Sequence, residues 1–138
     1  MVLGKPMGFW RDHMPAGMYL RSGPDWHLDA GAVHTFEAFL AERGIAAADV
    51  DPIPIDLFLD YAGWFQAAKG LSAREDLVQA LTRADGRFEA TLQSGAVIRA
   101  DAVVAAPGNR HFAAVPAWAG TLPKGRAAHT CDLSLIHI

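Results

Sequence analysis

Few residues in this chain have types and spacings suited to chemistry. The histidines are His13, His27, His34, His111, His129 and His137, and none has metal-ligand spacing. Cys131 is the single cysteine, so neither a disulfide framework nor a Cys/His metal motif can be built. No Ser-His-Asp pattern, catalytic carboxylate pair or phosphate-cradling Lys loop is visible. Two glycine-bearing stretches remain. In the first, Trp10 to Ser22, Trp10, Met14 and Met18 offer an apolar wall and Gly17 allows close approach. Arg21 and Ser22 add hydrogen-bond donors. In the second, Asp101 to Asn109, a continuously apolar run from Ala102 to Ala106 reads as a strand covered on both faces. It ends at Ala106-Pro107-Gly108, where glycine removes the Cβ and proline removes a donor. Taken singly, each of these residues is equally at home in a core, a turn or solvent.

The elements that must position these stretches can be read from periodicity. Val2 and Leu3 look like the end of a short strand, and the rest of residues 1–32 like an ordered loop. Thr35 is a helix N-cap signal; Phe36, Phe39 and Leu40 have helical spacing, and Gly44 is a C-cap. Asp51-Pro52-Ile53-Pro54 is a stiff extended connection. A second helix starts near Ile55, with Leu57, Phe58, Tyr61, Trp64, Phe65 and Ala68 on a broad apolar face and Gly70 closing it. The period then changes to two. Leu77 to Thr82 reads as a strand and Asp85-Gly86 as a hairpin turn. Phe88, Ala90 and Leu92 alternate with polar residues, Ser94-Gly95 turns the chain, and Val97-Ile98 starts a third strand. The buried strand at Ala102 needs neighbours on both sides, and a sheet of that kind needs more strands than this chain supplies.

Composition narrows the function classes. The 138 residues are 51% hydrophobic and 20% charged, enough to bury a core and unlike a disordered chain. The net charge of −3 and the lack of a Lys/Arg cluster give nucleic-acid or anionic-membrane binding no electrostatic support. Nothing resembles a signal peptide, and no apolar run approaches the ~20 residues of a membrane span. A cytoplasmic setting is the expectation.

The ordered series resembles the FAD-binding half of flavin-containing and N-hydroxylating monooxygenases and related FAD/NAD(P)-binding oxidoreductases. The likeness is carried by Phe9-Trp10, Met14-Pro15, Gly17-Met18 and Leu20-Arg21-Ser22. Pro52-Ile53-Pro54 follows, with Phe58, Tyr61, Trp64 and Phe65. Gly95 in the meander, Asp101 to Gly108, Val115-Pro116 and His129-Thr130 complete it. It covers roughly residues 1–132.

The resemblance implies an incomplete α/β fold. That fold is part of a Rossmann-like FAD-binding domain with two helices, an antiparallel β-meander and a buried parallel strand, and its first βαβ unit, with Gly-x-Gly-x-x-Gly, is missing. It also implies cofactor contacts at Trp10, Met14, Gly17, Arg21, Ser22, Val78, Ala106 and Gly108. Val78 would offer backbone to the adenine edge, and Trp10 to Ser22 would run beside the flavin ring. Relatives often hold the ribose with Glu where this chain has Gly4-Lys5, and His129 would lie on the way to the NADPH domain. The parent would be an enzyme in which NADPH reduces FAD and the reduced flavin activates O2 to oxygenate a small molecule; the catalytic residues and the substrate are not legible. The alternatives are a reductase of the same fold and a small non-enzymatic α+β binding module. Leu133-Ser-Leu-Ile-His-Ile138 matches a translation of CTGTCTCTTATACACATC, a transposase end used in sequencing libraries, so residues 133–138 are expected to be a non-native tail.

Overall fold

Thr35 opens a helix because its hydroxyl accepts a hydrogen bond from the Ala38 N–H at 3.1 Å, satisfying one of the orphan donors of the first turn. In the computed structural model, which describes residues 1–108, 112, 114–127 and 129, that helix is the second of three α-helices: α1 (Gly8–His13), α2 (Phe36–Glu42) and α3 (Ile55–Ala68). The strands are β1 (Val2–Leu3), β2 (Ala73–Arg74), β3 (Val78–Ala84), β4 (Arg87–Leu92) and β5 (Val97–Ala100). The fold is thus mixed helix and strand. The chain divides into two compact units, Met7–Gly70 with Asn109–Ile138, and Met1–Pro6 with Leu71–Gly108.

In the helical unit, α2 closes with paired backbone bonds. Gly44 N–H donates to Ala41 C=O at 3.1 Å and Ile45 N–H to Leu40 C=O at 3.0 Å. Gly44 has φ +67°, the left-handed conformation this closure needs. Pro54 precedes α3, and Gly70, at φ +60°, ends it with a bond to Ala67 C=O. Residues 18–20 pair with 53–55 through Leu20 N–H to Ile53 C=O at 2.8 Å and Ile55 N–H to Met18 C=O at 2.9 Å. The buried residues Leu20, Phe36, Phe39, Leu40, Ile53, Ile55, Phe58 and Tyr61 form one core. Its rings meet edge to face. Tyr61 lies 5.1 Å from Phe36 and 5.5 Å from Phe39, and Trp10 lies 5.1 Å from Phe58. These are the separations at which ring quadrupoles attract.

In the strand unit, β1 and β2 are parallel, with Val2 opposite Ala73 and Leu3 opposite Arg74. The chain between them passes through the helical unit. β3, β4 and β5 form an antiparallel meander in sequence order. Asp85 (φ 50°) and Gly86 (φ 79°) both take positive φ, the requirement of the type I′ turn that matches strand twist.

Three expectations are corrected. Residues 1–32 are not all loop, because Gly8–His13 forms α1. There are therefore three helices where two were expected. Ala102–Ala106 is not a buried strand: it takes no regular structure and is exposed, with Val104 93% accessible. A strand covered on both faces requires ladder partners, and among the described residues none pairs with this segment. The parallel pairing lies instead between β1 and β2.

Candidate functional site

The eight residues singled out from the sequence fall into both units. In the helical unit, Trp10 sits on α1 and Met14 directly follows it; both are half-buried and packed on the aromatic core. Gly17 and Arg21 are exposed, and Ser22 is half-buried. Gly17 takes φ +77°, and a Cβ placed there would meet no atom within 4 Å. In the strand unit, Val78 begins β3 and is exposed. Ala106 is exposed, and Gly108 takes φ +68° with open space where a Cβ would point. Both glycines thus have the backbone freedom for a close approach by another group. Trp10 and Met14 share one packing surface, and nothing groups them with Val78, Ala106 or Gly108. Lys5, where relatives have Glu, is exposed beyond β1, and His129 is half-buried. Thr130 and residues 133–138 lie outside the described residues.

The most developed polar arrangement is one that sequence reasoning missed. Asp29 is covered by its own loop and accepts from the backbone N–H groups of Gly31, Val33 and His34 at 3.1, 3.2 and 2.9 Å. His34 Nδ1 lies 3.3 Å from its carboxylate and Lys69 Nζ, just past α3, lies 3.0 Å from it. Hydrogen bonding from the His34 backbone, then the Lys69 ammonium, holds this carboxyl well below the usual carboxylate range. Tyr61 spans the ends of the same loop: its hydroxyl accepts from Leu28 N–H at 2.9 Å and donates to His34 C=O at 2.8 Å. Burial pushes the Tyr61 phenol up.

Chemically, this group keeps a loop closed. An Asp-His pair can orient an imidazole as a base, but here the carboxylate is already engaged by three backbone donors and an ammonium. The ring's aromatic neighbour is Trp64, with centroids 5.6 Å apart. The available signal was Asp29 followed by Gly31, the pattern of a side chain bonding its own backbone two residues on.

A second polar knot joins the start of β3 to the β4–β5 turn. Asp76 accepts from the Ser94 hydroxyl at 2.6 Å and its N–H at 3.2 Å, and pairs with Arg74 at 2.9 Å. The Ser94 hydroxyl is the main reason its carboxyl is lowered. A shallow depression of about 270 Å³ is lined by Pro24, Asp25, Glu37, Ala47, Ala48 and Asp51. Its three carboxylates repel flavin phosphates, so this depression does not suit that cofactor. Among the described residues no group of three or more His, Cys, Asp or Glu is placed to hold a metal, and no helix is long and apolar enough to cross a membrane.

Compared with protein-family models, with curated proteins and with solved structures, the chain matches none.

Proposed function

We propose that this chain is part of the FAD-binding half of an NADPH-using flavin oxidoreductase of the monooxygenase kind. The observation that carries the reading is an order of elements. A parallel pair, β1 and β2, brackets a helical unit; an antiparallel meander follows directly; and the chain then runs through an apolar segment to Gly108 at positive φ. The helices, the meander and the apolar segment ending at Gly108 are the part of that order the sequence resemblance calls for, and Val2 and Val104 are exposed. The residues present fit a flavin in part. Gly17 and Gly108 leave room for an approaching group, and Arg21 and Ser22 carry donors. Trp10 and Met14 are committed to the core and would present only their outer edges. FAD, when bound, supplies the redox chemistry with NADPH; this chain's part is to hold and orient it.

One observation favours a second reading, a non-enzymatic α+β binding module. The helical unit has a closed aromatic core of its own, as a free-standing module would. The gene on either side of this segment decides between them. A Gly-x-Gly-x-x-Gly in frame, roughly 30 residues upstream, is expected, and the extended protein should then purify with FAD. In that protein Gly108→Val should lower flavin occupancy, because a β-branched residue resists positive φ and fills the space before the glycine. A stop codon in frame immediately upstream, or an extended protein that binds no flavin, overturns the proposal.

A further inference from the structure

Among the described residues no strand pairs with the outer edge of the meander. β3 is the outer strand of the order β3-β4-β5, and six of its seven residues are exposed. Natural edge strands are blunted by Lys, Pro, bulges or shortness. β3 contains no Lys and no Pro, and its one irregularity lies at its start, between Val78 and Ala80. Its one charged residue is Arg83, whose guanidinium lies 5.7 Å from the Phe88 ring, over the sheet face rather than across the edge.

Register says which backbone groups face outward. A two-residue type I′ turn makes its flanking pair, Ala84 and Arg87, hydrogen-bonded, and hydrogen-bonded pairs then alternate along the ladder. Thr82 with Glu89 and Ala80 with Thr91 therefore bond inward, to β4. Leu81 and Arg83, opposite Ala90 and Phe88, turn their N–H and C=O groups to the open edge. The side chains alternate too. Leu81 shares a face with Phe88, Ala90 and Ile98, the apolar side of the meander, and is itself 45% exposed.

We propose that this edge docks β3 of a second copy of the chain, antiparallel about a two-fold axis at Leu81, giving a six-stranded sheet. The sequence of β3 fits itself in that register. In the regular part of the strand Leu81 meets its own copy and Ala80 meets Thr82, while the irregularity at Val78–Ala80 lies toward Arg83 and Ala84 of the copy. No like charges face each other, and the two Arg83 side chains stand roughly 14 Å apart at ~3.4 Å per residue. Two half-exposed leucines meet on the face that carries Phe88 and Ala90, with Arg83 two residues along on that same face, and each Leu81 gains both outward backbone bonds. Self-pairing by one surface patch closes as a dimer and leaves no further β3 edge to extend. This inference is independent of the flavin reading.

The test is sedimentation equilibrium on the whole chain over a micromolar-to-millimolar series. A monomer–dimer equilibrium is expected. Leu81→Lys opposes two ammonium groups at the axis and should weaken the dimer more than about tenfold. Leu81→Pro removes an outward donor while sparing the β3–β4 ladder, and should do the same. Should the proline variant fail to fold by circular dichroism, Leu81→Lys decides alone. In a Cys131→Ser background, Leu81→Cys should cross-link to its own copy on mild oxidation, because paired Cα atoms about 5.5 Å apart lie within disulfide reach. Val104→Cys should cross-link far more slowly. A monomer throughout the series, a dimer indifferent to Leu81→Lys, or faster cross-linking at Val104 overturns the proposal.

Discussion

The two units bury their apolar residues to very different degrees. In Met7–Gly70 the residues chosen by helical spacing reach near-zero exposure, with Phe36, Phe39, Leu40 and Tyr61 all at 1% or less. In the strand unit only Ala90 and Leu92 are buried among the described apolar residues, while Val78, Leu81, Val97, Val103 and Val104 are all more than 40% exposed. The difference follows from how each kind of element satisfies itself. A helix closes its backbone bonds internally and needs only a partner for one stripe. A sheet has edges and two faces, and a three-stranded meander can cover neither by itself.

The largest effect that would test this contrast is in the aromatic core. Phe39→Ala removes a fully buried ring that contacts Phe36, Tyr61 and Trp64. It should cost about 3–5 kcal/mol, read as a fall in the denaturant midpoint with unchanged slope. Leu81→Ala, on the half-exposed strand of the other unit, should cost well under half of that. Equal costs would mean that the meander is as well packed as the helices.

Next comes a polar pair of bonds. Tyr61→Phe keeps the ring in the core and deletes the hydroxyl that bridges Leu28 and His34. Two backbone groups lose their partner, at about 1–3 kcal/mol, and amide exchange at Leu28 should speed up. A neutral change would show that water replaces the hydroxyl and that the loop is held from within.

The third effect is set by pH. Asp29 is lowered in the folded chain relative to the unfolded one, so the unfolded state binds its proton more readily. Its contribution is whole above the ordinary Asp range, near about 4, and drains as pH falls below that. Thermal melts of Asp29→Asn should therefore lose part of their acid dependence, while remaining lower than the parent at neutral pH. Asp76, lowered mainly by Ser94, should act in the same direction in the strand unit. An unchanged acid limb in Asp29→Asn and in Asp76→Asn would remove these carboxylates from the stability of either unit.

The same contrast explains what was legible beforehand. Thr35, Gly44, Pro54 and Gly70 mark helix ends by local chemistry, and Asp85-Gly86 dictates its own turn; all are found where expected. The strand expected at Leu77–Thr82 runs from Val78 to Ala84, a displacement within the reach of turn geometry. α1 was missed because Met7, at φ 56°, gives it no side-chain cap, and six residues hold too few turns for a period. β2 was missed because two residues carry no alternation. The polar loop around Asp29 depends on Tyr61 and Lys69, which come from more than thirty residues away in sequence. Of the proposed cofactor residues, Gly17 and Gly108 take positive φ, and Trp10 and Met14 are partly buried against the core, a position that composition alone does not distinguish from a ligand wall.

The smallest effect is expected where the sequence reading and the structure differ most. Ala102–Ala106 reads as a strand interior, and there a Val→Ser change would bury a hydroxyl, lose apolar contact and cost several kcal/mol. In the structure Val104 is 93% exposed and outside any ladder, so its side chain is in water before and after unfolding. Val104→Ser should then shift stability by no more than about 0.5 kcal/mol, the usual range for a surface change. The measurement is paired denaturant melts of the parent and the variant, repeated in the extended protein if the gene supplies further strands. In this chain a loss above about 1.5 kcal/mol would mean that the segment is covered, by itself or by another copy, and the contrast between the two units would fail. In the extended protein the flavin reading makes the opposite prediction: partner strands on both sides should turn the same substitution into a core change. A shift from near zero to several kcal/mol between the two proteins would identify Ala102–Ala106 as a strand that forms only when its neighbours are present.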